Sequence, residues 1–411
     1  MGQTVSNLAG SAMRLYDKAI HSQIFTKNVL FNNILRNVAH TTGAVSSLSS
    51  TQGGGKQMIV HYLRNVGSAA GSETLTLPTA GNQGYMQANI PMKFNFHQIS
   101  ITDVALQASK KSKEFLVDVL QTEYNGAKDD MQRQLSRQGY SLGTGVICLA
   151  NGTISTLTVN VDTPMVGKNP TDYLEVGNGV CFDSSTTTAS AVFGVIASIT
   201  DGDTFALTAD PSYSDNDMIF LAHTNGGTPT ISNRNAEIMG LKGLIDDASY
   251  LTTLQGISRS SYPWWSSYVD DSTSQRSLNE ALMHSTLLEA MKKGEPKYGL
   301  TSFDVMSALG QLWSGDRRYT DKMELAGGFK GVSFNGLTLV ADYDHPYDEL
   351  NWIDPSVLSV EDLGPISFLD SDGSILSRSS TTPAWNATLK YYANLAISKP
   401  NRCSSLRDII K

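Results

Sequence analysis

At 411 residues the chain is long enough for two or three domains, each with its own core. Only 17% of its residues are charged, against about 25% in an ordinary globular domain, a depletion that fits either a subunit covering much of its surface with copies of itself or extracellular or virion use. The net charge of −8 leaves no basic stripe for duplex binding, and three scattered cysteines (Cys148, Cys181, Cys403) give neither a metal spacing nor a disulfide framework. They fit folding in a reducing compartment. No run of 18 apolar residues offers a membrane span, and the first residues lack the apolar run of a secretory leader.

In chain order, residues 1–56 read as an arm followed by a flexible joint. Leu15, Ala19, Phe25, Val29, Leu30, Ile34 and Leu35 suggest broken helical turns. Arg14, Lys18, Lys27 and Arg36 against Asp17 make the arm mildly basic. The joint HTTGAVSSLSSTQGGGK ends in Gly53–Lys56, but Gln57 follows the lysine, so the phosphate-loop pattern is incomplete. Residues 57–106 read as an extended β-hairpin with QMIVHYLRNV and PMKFNFHQISITDV as its legs and a polar, glycine-rich loop between them. Met92, Phe94 and Phe96 alternate with Lys93, Asn95 and His97, the signature of a half-buried strand.

Residues 107–141 carry the strongest pattern. From Gln107 to Gln138 the apolar positions Leu116, Leu120, Tyr124, Ala127, Met131 and Leu135 recur at helical spacing, with no proline. One amphipathic helix of about 30 residues would be a rod of roughly 45 Å. Gly126 is its weak point.

Residues 142–224 then change character to short apolar strands between Gly, Asn and Asp turns, which predicts an inserted β-barrel or sandwich. Between Ser141 and Asn233 stand nine acidic residues and one basic, Lys168. The calcium-loop pattern is absent, so Asp201, Asp203, Asp215 and Asp217 are read as turn residues.

Residues 225–411 resume a mixed α/β pattern. Asn225–Asn235 reads as a linker, and Trp264 and Trp265 sit beside Tyr262 and Tyr268 as a packing cluster or a sugar platform. Ser274–Met291 is predicted helical, with Ser277 and Glu280 as a capping box. FDVMSALGQLWSG follows as a second helix with Ser302 or Asp304 at its cap and Gly315 closing it. An Asn335–Gly336 turn joins two strands, and AWNATLKYYANLAISKP alternates as a closing strand. The nearest approach to a chemical site is ADYDHPYDE, where Asp342, Asp344, His345 and Asp348 have the spacing for a hard metal or acid–base work. The plainer alternative is a strand-end turn whose aspartates cap local amides.

Basic arm, polar joint, hairpin, long helix, β block and α/β core, in that order, resemble the major capsid protein of tailed bacteriophages across almost the whole chain. EIMGLKGLID, the helix around Ser274–Leu282, GLTSFDVMSAL, FNGLTLVADYDHP and WNATLKYYANLAISKPNRCSSLRDI carry the resemblance in the later part. It implies an α+β, HK97-like capsid fold: N-terminal arm, extended loop, spine helix of a peripheral domain, axial domain, and residues 142–224 as an insertion on the outer surface. It implies an icosahedral head shell around double-stranded DNA, built from hexamers and pentamers of this chain in the host cytoplasm. A separate scaffolding protein and a portal serve assembly, and a decoration protein is a further candidate partner. No catalytic residue, cofactor, metal or membrane contact is implied. Some members of that family join subunits through a lysine in the extended loop. Here residues 67–91 hold no lysine, and only Lys56 and Lys93 flank the loop, so no such crosslink is expected. The rival readings are an encapsulin-like compartment shell, a β-rich carbohydrate-binding adhesin or tail component using Trp264 and Trp265, and a hydrolase using Asp344 and His345.

Overall fold

The structure is a computed structural model. It describes residues 30, 39–42, 55–63, 70–74, 76, 79–105, 107, 119–152, 157–185, 191–224, 229–313, 323–325, 329–369, 377–379 and 382–410. Most of the arm (1–56), the hairpin tip at 64–69, and residues 108–118 of the expected rod lie outside this set.

The fold is built around a long strand, Ala384–Ile397, 14 residues in length. Lys93–Thr102 runs antiparallel along one edge, in register from Ala384↔Thr102 to Ala393↔Lys93. Leu358–Asp362 pairs on the other edge, and Ala39–Thr42 adds parallel to it. Alternation explains the register: Ala387, Leu389, Ala393 and Leu395 face inward with Ile99 and Ile101. Helix α1, Val119–Tyr140, buries Ala127, Met131 and Leu135, part of the stripe its spacing predicted, and also Tyr140 in the same core. At 22 residues it is roughly 33 Å long.

The hairpin differs from expectation. Gly55–Leu63 pairs with Gly84–Pro91, not with residues 93–102, which belong to the central sheet. Pro91 explains the break. It has no N–H to donate, so the ladder stops there and the chain passes to a second sheet. Nor does the described part of the ribbon stand clear of its own chain. Met58, Val60 and Met86 pack against the main core, Ala88 is part of it, Ile90 is buried, and the Asn89 amide donates to the Gln255 carbonyl at 2.7 Å. Ile59 and Tyr85, on the other face, remain exposed. Gly55 is required at the ribbon's base, because a Cβ there would lie 2.4 Å from the Ile90 carbonyl oxygen.

The acidic block is a closed antiparallel barrel of six described strands. Met218–Thr224, Val146–Asn151, Thr158–Asp162, Thr204–Leu207, Val192–Ile199 and Gly179–Asp183 follow one another around the ring, and the last pairs back with the first. Ile147, Val159, Phe182, Phe205 and Ile219 fill it. Pro229–Ser232 pairs outside the ring with Met218–Thr224, so part of the expected linker at 225–235 is a barrel-associated strand. Its β-branched Thr230 and Ile231 pair readily, and the turn signals around them obscured this in the sequence.

After the one-turn helix α2, Leu241–Leu244, a second sheet of seven described strands follows, with Leu350–Ile353, Tyr298–Thr301 and Leu337–Ala341 at its middle. Helices α3, Glu280–Met291, and α4, Phe303–Leu312, pack on it through Met283, Leu287, Val305 and Leu309. The cap of α3 is Asn279, whose side chain accepts from the Leu282 amide, and not Ser277, which lies in the short strand Arg276–Ser277. Asn is as good a cap as Ser, and here it stands one residue before the first helical turn. Ser302 caps α4 by accepting from the Val305 amide, while Gly315 lies outside the described residues.

Candidate functional site

The segment 342–349 joins Leu337–Ala341 to Leu350–Ile353, and its polar side chains do more than cap local amides. Asp344 is buried. Its carboxylate accepts from Ser136 of α1 and, at 2.9 Å, from Tyr173 of the barrel. Its carbonyl accepts from the Gly167 amide at 3.2 Å. Tyr140, at the end of α1, donates to Asp342 at 2.7 Å. Arg133 donates to the Asp172 carbonyl, and Tyr343 donates to the Asp172 carboxylate. Helix, barrel and second sheet therefore meet on one turn. Burial, together with the Asp342 charge, pushes Asp344 up to about 6, although the Ser136 and Tyr173 hydrogen bonds pull the other way. Burial, then the neighbouring Asp342, holds the Tyr140 phenol well above its usual range.

His345 belongs to a different set of partners. It is fully buried, and burial lowers its pKa, so the ring is neutral. The Pro346 carbonyl, 3.0 Å from Nδ1, can only accept, so Nδ1 carries the proton. Nε2 then accepts from the Asn351 amide at 2.9 Å. With both ring nitrogens engaged, and Asp344 bound to Ser136 and Tyr173, the two residues do not form an acid–base pair. The hydrolase reading loses its pair on this geometry. Among the described residues no three His, Cys, Asp or Glu side chains are grouped to hold a metal.

Beyond His345 lies a buried charge network. Glu349 pairs with Lys242 at 3.0 Å, and burial, which alone would raise the carboxyl, is outweighed by Lys242 and Arg407, so its pKa is lowered. Asp246 receives Arg259 and Arg407, each at 3.2 Å, and also accepts backbone amides of Ala248, Tyr250 and Leu251. Arg137 of α1 is buried against Glu237. The sequence pattern alone does not single these residues out. Lys242, two residues after Gly240 in an otherwise apolar run, was the available signal.

Trp265 is buried, and its indole N–H donates to the Leu254 carbonyl at 3.1 Å. Trp264 is half-buried, with Tyr62 of the ribbon stacked on it at 6.1 Å and Tyr262 at 5.9 Å. Trp264 thus packs the ribbon against the body, and both tryptophans also line a half-open cleft with Met58, Val60, Lys399 and Pro400. The flanking lysines are engaged as well: Lys56 pairs with Glu361 at 2.6 Å, and Lys93 donates to the Asn235 carbonyl. Asp201, Asp215 and Asp217 accept the turn amides of Asp203, Gly152 and Ser214. All three cysteines are buried and unpaired, and burial pushes the Cys403 thiol up to about 12.

No family model matches the chain, and no curated protein does. Solved structures do. The cyanophage A-1(L) capsid asymmetric unit contains a chain 13% identical, covered over 99% of both chains with a TM-score of 0.57. A chain of the native GTA particle capsid is 10% identical over 100% of both, at 0.52. The SrpI encapsulin from Synechococcus elongatus is 7% identical over 99% of this chain and 96% of its own, at 0.51. At such identities the likeness defines the fold alone: the chain has the mixed helix-and-sheet fold of these capsid and encapsulin subunits, end to end.

Proposed function

We propose that this chain is a major capsid protein of HK97-like fold, which self-assembles into the icosahedral head shell of a tailed phage around packaged double-stranded DNA. The observation that carries the reading is the match to the cyanophage capsid subunit over 99% of both chains. The low charge density and the apolar side chains exposed on the ribbon, Ile59 and Tyr85, suit broad contacts between copies. Hexamers and pentamers of the chain are the assembly unit. The ribbon and arm reach neighbours, while α1 and the two sheets stay rigid. A scaffolding protein and a portal act during assembly in the host cytoplasm, the finished location is the virion, and the barrel sits on the outer face, where a decoration protein could bind. An acid-rich, weakly charged subunit lies close to DNA without gripping its phosphates. The chain performs no catalysis. Among the described residues no helix is long and apolar enough to cross a membrane.

The encapsulin match supports a second reading, a compartment shell that encloses protein cargo. Electron microscopy of the expressed chain, alone and coexpressed with a scaffolding protein, tests the shell. Uniform hollow shells are expected, and a persistent monomer under both conditions overturns the proposal. Shells that copurify with an enclosed protein and carry no DNA-packaging vertex would favour the compartment.

A further inference from the structure

We propose that the turn Asp342–Asp344 is a proton-operated clamp that sets how firmly the barrel is held against α1 and the second sheet. The covalent path between barrel and body is short, and the Asp344 turn supplies a non-covalent hold. Two barrel groups, the Tyr173 hydroxyl and the Gly167 amide, end on Asp344, and a third bond joins Asp344 to Ser136 of the body.

The charges around Asp344 come from three elements. From its own turn come Asp342, Tyr343 and the neutral His345. From α1 come Arg133, Arg137 and the Tyr140 phenol. From the barrel come Asp172, Glu175, Lys168 and the Tyr173 phenol. Arg133 is shared with the Asp172 carbonyl and with Glu175 at 3.8 Å, and Arg137 is held by Glu237. Lys168 pairs with Asp304 at 3.3 Å. Among the described residues no salt bridge reaches the Asp344 carboxylate, which is held by the hydroxyl donors of Ser136 and Tyr173. Ionisation of Asp344 sets it against Asp342 in a dry seam. Water can relieve that only if the seam opens.

The direction follows. The closed seam binds a proton on Asp344 with a pKa of about 6, whereas an opened, hydrated carboxyl has its ordinary value. Opening is then favoured as pH rises, by about tenfold between pH 5 and pH 8, and levels off above the closed-state value. A neutral carboxyl still accepts one hydrogen bond and donates another, so the closed form persists in acid.

The test is hydrogen exchange on the full-length, unassembled chain, followed in the segment containing Gly167 and corrected with an unstructured peptide of the same sequence. The expected result is about tenfold faster opening at pH 8 than at pH 5, abolished by Asp344→Asn and unchanged by Asp348→Asn at the other end of the segment. Equal opening at both pH values, faster opening in acid, or an undiminished pH dependence in Asp344→Asn overturns the clamp. If Asp344→Asn does not fold, Tyr173→Phe takes its place. Loss of that donor weakens the ionised clamp more than the neutral one, so exchange rises more at pH 8 than at pH 5. An equal rise at both contradicts it. The clamp rests on the seam alone, so it can fail while the shell reading stands, and the reverse.

Discussion

Tyr173 of the barrel donates its hydroxyl proton to Asp344, 171 residues further along the chain, at 2.9 Å. This contact makes an inserted β-domain part of the body and not a pendant, and it shows where the polar residues of 342–349 spend their hydrogen bonds.

The charge network behind that turn is the most sensitive place to cut. Asp246 is fully buried with Arg259 and Arg407 directed at it. Asp246→Ala leaves the buried Arg259 without its carboxylate and Arg407 with only Glu349, at 3.9 Å. A loss of about 3–5 kcal/mol is expected in urea unfolding of the unassembled chain. A loss under 1 kcal/mol would mean that the arginines find other partners.

Asp348 gives a pH prediction with a definite sign. Burial, with Glu349 beside it, raises its carboxyl to about 6. The folded chain therefore holds this proton more tightly than the unfolded chain does. The group costs nothing below its unfolded pKa. The cost grows as pH climbs from about 4 to 6 and is constant above that. Asp348→Asn removes it. The variant should gain roughly 1–3 kcal/mol over the parent at pH 7.5 and nothing at pH 4. Denaturant midpoints at the two pH values measure the difference.

Gly126 lies within α1, and a Cβ there would meet nothing within 4 Å. Gly126→Ala should therefore stabilise the helix by about 0.5–1 kcal/mol through the unfolded chain's lost freedom. An increase in Tm without any change in shell formation is the expected outcome.

Much of the architecture was legible because it depends on periodicity. The Ala127, Met131, Leu135 stripe located α1, and the short strands between Asp and Gly turns located the barrel. Strand pairing was not legible: which strand follows Gly55–Leu63 depends on Pro91 ending a ladder and on a partner nearly 300 residues away. The same distance hid the Asp344 seam. A sequence shows Asp342 and Asp344 as neighbours in a turn but not Ser136, Tyr140 and Tyr173 closing over them. Trp264 and Trp265 read as a packing cluster or a sugar platform; that Trp265 is buried and Trp264 stacks on Tyr62 needed the fold.

The central claim is that copies of this chain close into a shell. Cryo-electron microscopy of the particles formed by the expressed chain, alone or with a coexpressed scaffolding protein, tests it most directly. The expected result is a hollow icosahedral particle in which the outer face of the ribbon, with Ile59 and Tyr85, is covered by a neighbouring copy. A chain that remains monomeric, or particles that leave that face bare in every subunit, would contradict it.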